Sequence, residues 1–235
     1  MSNYEFEGYS DGDWEESWEI AWSEFDWESY LRNQDKSVQV YLSHYEKHLD
    51  RNDRIDEVAH QMGWDEQAWT NDDALTDNEP DIDGMETESD SEEQERELDP
   101  YTIHKHPIFI ASKSLYVWLH KAWEQVAPAC AARIPARTAL SFQSSLYRGE
   151  QTALLSVHSL DMGDYSLAVC LFKRSLSELN TSLALLNEMD ESKSPPLAYF
   201  KAQSRIRLFD LREIWLRVMR DCREELSRRF GDRER

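Results

Sequence analysis

The chain has 235 residues and a formal net charge of −21, enough length to bury a sizeable core and enough negative charge to exclude a general affinity for nucleic acid. No run of about 18 apolar residues occurs, so no membrane-spanning helix is predicted. Three cysteines, Cys130, Cys170 and Cys222, form neither a CxxC pair nor a disulfide framework. With no signal-peptide pattern at the start, they lead to the expectation of a cytoplasmic protein.

The charge is unevenly spread. Residues 1–70 carry 18 acidic and 5 basic side chains, residues 71–99 carry 14 acidic side chains and Arg96, and residues 100–235 carry 15 acidic and 20 basic. A polyanionic front therefore precedes a mildly cationic rear. Such a layout favours docking of one part on the other, or a basic partner for the front.

Residues 1–69 are predicted to form a helical, tryptophan-rich region. Trp14, Trp18 and Trp22 recur at i, i+4 and i+8, with Ala21 and Phe25 beside them and Glu15, Glu16 and Glu19 around the stripe. Six of the nine tryptophans fall in this region, and that much apolar area calls for a surface to bury against. Trp14, Trp18, Trp22, Phe25 and Trp27 are the candidate interaction residues. Further on, Val38, Tyr41, Leu42, Tyr45 and Leu49 share one helical face, and Asp53 is placed to cap a helix over RIDEVAHQMG.

Residues 70–100 are predicted to be a disordered acidic linker, since like charges repel and little apolar surface offsets the entropy of ordering. Residues 101–235 are predicted to be an antiparallel four-helix bundle. Its first helix opens at Pro107, shows Ile108, Ala111, Leu115, Trp118, Ala122 and Val126 on one face, and ends at Pro128. The second, near 137–162, buries Ala139, Phe142, Leu146, Ala153, Val157 and Leu160, with Gly149 a weak point and Gly163 a stop. The third, near 164–190, alternates Tyr165, Val169, Phe172, Leu176, Leu179, Leu183 and Leu186 by four and three, with Leu167, Leu171 and Leu185 widening the stripe. Cys170 and Cys222 are expected to act as small buried hydrophobes. The fourth follows SKSPP, runs to about Arg229 and buries Leu208, Leu211, Trp215, Val218, Cys222 and Leu226. The whole chain is thus expected to be all-α.

Two stretches carry resemblances. Val58, Ala59, Met62, Gly63, Trp64 and Trp69 give residues 55–69 a spacing that resembles a helix-turn-helix, which implies a recognition helix in the major groove of DNA. That helix would carry Asp65, Glu66, Asp72 and Asp73, and no Lys or Arg stands between Arg54 and Arg96. Charge outweighs spacing, so no direct nucleic-acid contact is expected. Gly163, Tyr165, Ala168, Phe172 and Leu176 resemble the second helix of a tetratricopeptide repeat, with a fainter echo at Tyr199, Ala202 and Ile206. Ser175 and Asn180 depart from the repeat and no earlier copy exists, so packing within a bundle is the better reading.

Metal and catalytic signatures are absent. His44 and His48 are four apart, but HYEKH places its glutamate wrongly for HExxH, and Glu57 with His60 gives a single ExxH where a di-iron bundle needs two. No cofactor is expected. Phosphate-cradling and nucleophile-elbow patterns do not occur. The arginine-rich segment from Arg205 to Arg229 has acids at i, i+3 and i, i+4, so a solvent face of local ion pairs is expected, or else arginines that receive the acidic front.

The favoured function is non-catalytic protein–protein interaction or scaffolding, with a basic protein surface or the chain's own C-terminal bundle as partner. One alternative is a ligand-binding or enzymatic bundle with a buried polar pocket near Glu150, Glu178 or His158. Another is an acidic mimic that captures a nucleic-acid-binding protein.

Overall fold

The structure is a computed structural model and describes residues 22–64, 102–192 and 194–231. The predicted linker, the second half of the helix-turn-helix-like stretch, and Trp14 and Trp18 lie outside these residues. Every regular element among them is helical: α1 (Glu24–Lys47), α2 (Arg54–Gln61), a 3-10 turn (Ile103–Lys105), α3 (Pro107–Ala129), α4 (Ala136–Asp161), α5 (Tyr165–Glu188) and α6 (Pro195–Gly231). The all-α expectation holds. No described helix is long and apolar enough to cross a membrane.

Local chemistry sets the helix ends. Ser23 caps α1 in a reciprocal capping box with Asp26. Asp53 occupies the N-cap of α2, as expected, but its carboxylate is taken by Arg51 at 2.8 and 2.7 Å and makes no cap bond. Pro107 is the first residue of α3, and the His106 imidazole accepts the Ile108 N–H at 3.2 Å. Pro128 does not stop the helix at once. It sits in the last turn, which closes through the Cys130 N–H on the Val126 carbonyl. Gly163 ends α4 with φ +74°, a conformation that an L side chain would strain.

The rear helices meet in a ring: α3 packs on α4 and α6, and α5 packs on α4 and α6. Leu115, Leu119, Phe142, Leu146, Phe172, Leu179, Leu208 and Trp215 fill the centre, all but withdrawn from water. The third helix follows its predicted stripe at Tyr165, Val169, Phe172, Leu179 and Leu186, but Leu167 is 47% exposed and Cys170 is exposed. The thiol at 170 is therefore no core hydrophobe, unlike Cys222. On α3 the buried set is wider than one face. Tyr116 and Trp123 are buried against Trp215, Phe142 and Phe200, Leu119 is buried and Trp118 half-buried, while α1 covers a third side of this helix, where the buried Ser114 donates to the Val38 carbonyl.

The predicted weakness at Gly149 is instead a point of close approach. Helix α4 runs through it without a break. A Cβ there would lie 2.6 Å from the Tyr116 Oη, and the Gly149 carbonyl accepts the Ser175 hydroxyl at 2.7 Å. Ser145 and Ser182 meet at 2.7 Å on the same seam. Small side chains let α4 and α5 come together, which explains serine at 175 in bundle terms.

Candidate interaction face

The leading end of α1 is built by a cap and a staple. Trp22 precedes the N-cap Ser23 and Trp27 is the fourth helical residue, the pair that packs together in a hydrophobic staple. Their rings are 4.9 Å apart. Both also pack on Tyr30, at 5.7 and 5.9 Å. Trp22 therefore does not continue a helical stripe into Phe25, as its spacing suggested; the capping box starts the helix only after it.

Tyr30 anchors this end to the rear of the molecule. It is buried, its hydroxyl pairs with Thr102 Oγ1, and its ring lies 6.2 Å from His104, which in turn meets Phe109 edge-on. Burial pulls the His104 imidazole below its ordinary pKa. Beyond the anchor the aromatic surface opens to water: Phe25 is 79% exposed, Trp27 43% and Leu31 44%. Glu24, Asp26 and Glu28 lie exposed on the same two turns, and Arg32 pairs with Glu28 at 2.9 Å. Hydrogen bonds from Ser23 hold the Asp26 carboxyl below its usual pKa, so it stays anionic. Of the five candidate residues, Trp22 and Trp27 are thus joined, and Phe25 stands on another side of the helix.

Behind this face, α1 and α2 are clipped to the rear by a polar seam. Both oxygens of Asp210 on α6 accept from Arg54, at 2.6 Å each, and one also accepts the Tyr45 hydroxyl. Asp210 is buried. Burial and the Asp210 charge both push the Tyr45 phenol up, so it remains a donor throughout the physiological range. Arg207, fully buried, donates to Glu46 and places its guanidinium 3.5 Å from the Trp118 ring centroid and 5.3 Å from that of Tyr45. A desolvated cation over an aromatic face contributes about 2 kcal/mol. Arg217 reaches Asp56 on α2. Farther along α6, Arg220, Arg228 and Arg229 pair with acids of their own helix. The arginine-rich segment therefore combines a solvent face with two arginines that meet the front.

Of the alternative pocket residues, Glu178 lines a groove that Glu150 and His158 do not. Glu150 is buried and bonded to Lys113 at 2.7 Å and His120 at 2.9 Å. Burial raises its pKa, but those two donors together lower it by more, so it stays ionised below the usual carboxylate range. Glu178 pairs with Arg148 at 3.0 Å and lines an open groove of 420 Å³ with Tyr147, Thr152 and Arg174. His158 is exposed. Tyr147 stacks on His120 at 4.3 Å and separates the groove from Glu150. No group of three or more metal-ligating side chains occurs among the described residues.

Sequence reasoning missed Tyr30, Arg207 and Asp210 as the anchors of the front. The signal for the staple was present in W-S-E-F-D-W, but Asp rather than Glu closes the capping box. Nothing in the sequence paired Tyr45 with Asp210, which lie 165 residues apart. No protein-family model, curated protein or solved structure matches the chain.

Proposed function

We propose that the protein is a non-catalytic interaction protein whose aromatic leading helix end engages a basic protein surface. The observation that carries this reading is an exposed Phe25 and a half-exposed Trp27, on two sides of one anchored helix, set among Glu24, Asp26 and Glu28 in its first two turns. Aromatic side chains held in place lose little entropy on binding and dominate interface energies, and the acids steer a cationic partner toward them. Residues 1–21 add seven acids and no base immediately before this face.

The test compares the full chain with a Phe25→Ala/Trp27→Ala variant in a salt-stepped pull-down. Basic proteins retained at low salt by the wild type and lost by the variant support the reading. An identical retained set from both proteins rejects it.

A second reading, ligand binding, is favoured by the open groove beside Glu178 and Arg174. A ligand there would perturb Tyr147 and Thr152 resonances and leave Trp27 unchanged, whereas a basic partner at the front would do the reverse.

A further inference from the structure

In a chain with 31% charged residues, an outward helix face ordinarily carries charge. Past Arg137 in its first turn, the outward face of α4 does not. Leu140, Ser144, Tyr147, Gln151, Leu155, His158 and Met162 follow one another along it, all seven exposed, and none is Asp, Glu, Lys or Arg. The apolar members are large and open to water: Leu140 67%, Tyr147 45%, Leu155 55% and Met162 73%. The steps between them repeat every 11 residues, close to the natural turn of an α-helix, so the stripe runs nearly straight for about 33 Å.

The stripe also reads the same from either end. About Gln151, Tyr147 mirrors Leu155, Ser144 mirrors His158, and Leu140 mirrors Met162. Apolar meets apolar and polar meets polar. That is the requirement of a two-fold contact, in which residue i touches j of the other copy and j touches i. We propose that a second copy of this chain covers the face, with two α4 helices antiparallel about a two-fold axis at Gln151.

The uncharged, mirrored stripe favours this occupant. An acidic segment such as residues 1–21 finds no Lys or Arg at the seven positions; Arg137, Arg148 and Arg174 stand at their margin, and Arg148 is paired with Glu178. At the seven positions themselves, a second copy brings neither like-charge repulsion nor an unpaired charge into the contact. One helix pair is a small interface, so the dimer dissociates on dilution. Trp22, Phe25 and Trp27 take no part in this contact, which stands apart from the proposed function.

Sedimentation equilibrium of the full chain over a concentration series tests it. The wild type is expected to shift from monomer to dimer, and Leu155→Glu to weaken that dimer by roughly tenfold or more. Its thermal melt stays wild-type, because Leu155 is exposed. Leu216→Glu, at an exposed position on α6, leaves the dimer intact. In a Cys170→Ser background, Gln151→Cys forms an intermolecular disulfide on mild oxidation. Ser144→Cys, whose counterpart lies about 21 Å away along the paired helices, does not. A monomer at every concentration, a dimer indifferent to Leu155→Glu, or equal cross-linking at 144 and 151 overturns the proposal. So does dimerisation seen only after removal of residues 1–21, which assigns the face to that segment.

Discussion

Helices α3 to α6 are joined through side chains such as Leu115, Phe142, Phe172 and Leu208, which water does not reach. Helices α1 and α2 add Tyr41, Tyr45, Ile55 and Val58 to the same buried cluster, but they meet α6 mainly through Arg207, Asp210, Tyr45, Arg54 and Arg217. The two regions fail in different ways. Apolar contact is non-directional and lost in proportion to area. A buried ion cluster gains little while complete, but it costs several kcal/mol once a partner is removed. The front therefore depends on a few oriented groups in addition to apolar contact, and removing one of those groups is expected to loosen it before the rear.

The largest expected effect breaks the rear. Leu179→Asp places an unpaired charge in the centre of α5, where Leu179 is 1% exposed, and costs about 4 kcal/mol or more. Loss of the cooperative melt by circular dichroism is the expected result. Asp210→Ala acts on the front. It leaves Arg54 and Tyr45 without their shared acceptor, at a cost of about 3 kcal/mol. Denaturant unfolding is expected to show an early phase for the front while the rear transition stays near its wild-type midpoint.

Gly149→Ala sharpens the account of the rear. Its methyl group meets the Tyr116 hydroxyl and costs about 2 kcal/mol. The double variant with Tyr116→Phe recovers most of that loss, as a double-mutant cycle in urea can measure. The smallest effect is pH-dependent and sits where front and rear join. Burial, partly opposed by Asp161, lowers the His106 pKa from 6.5 to about 4. The neutral ring is thus favoured in the folded state, and the stability it carries is present above pH 6.5 and lost as pH falls toward 4. Between pH 7 and 5 that amounts to about 2 kcal/mol. His106→Asn keeps an acceptor for the Ile108 N–H and is expected to flatten this slope in pH-stepped melts.

The rear was legible because its helices repeat apolar residues at the spacing of a helix: Tyr165, Phe172, Leu179 and Leu186 needed no knowledge of their neighbours. What the sequence hid was set by partners far along the chain. Trp123 is buried between Phe142 and Phe200, and Ser114 is buried with its hydroxyl on the Val38 carbonyl of α1; a one-helix stripe cannot register such neighbours. Gly149 reads as a helix weakness until Tyr116 and Ser175 are seen against it. At the candidate face, composition marked the tryptophans, and the local staple moved Trp22 off the helix. Arg207 and Asp210 read as two more members of a charged solvent face, since burial of a charge follows only from its partner's position.

Hydrogen exchange followed helix by helix, in the wild type and in Asp210→Ala, tests the difference between clip and core most directly. The expected result is weaker protection of α1 and α2 than of α3 to α6 in the wild type, with Asp210→Ala accelerating exchange in α1 and α2 alone. Equal protection of all six helices, or acceleration spread evenly across them, would contradict a front held by oriented polar contacts on an independently stable rear.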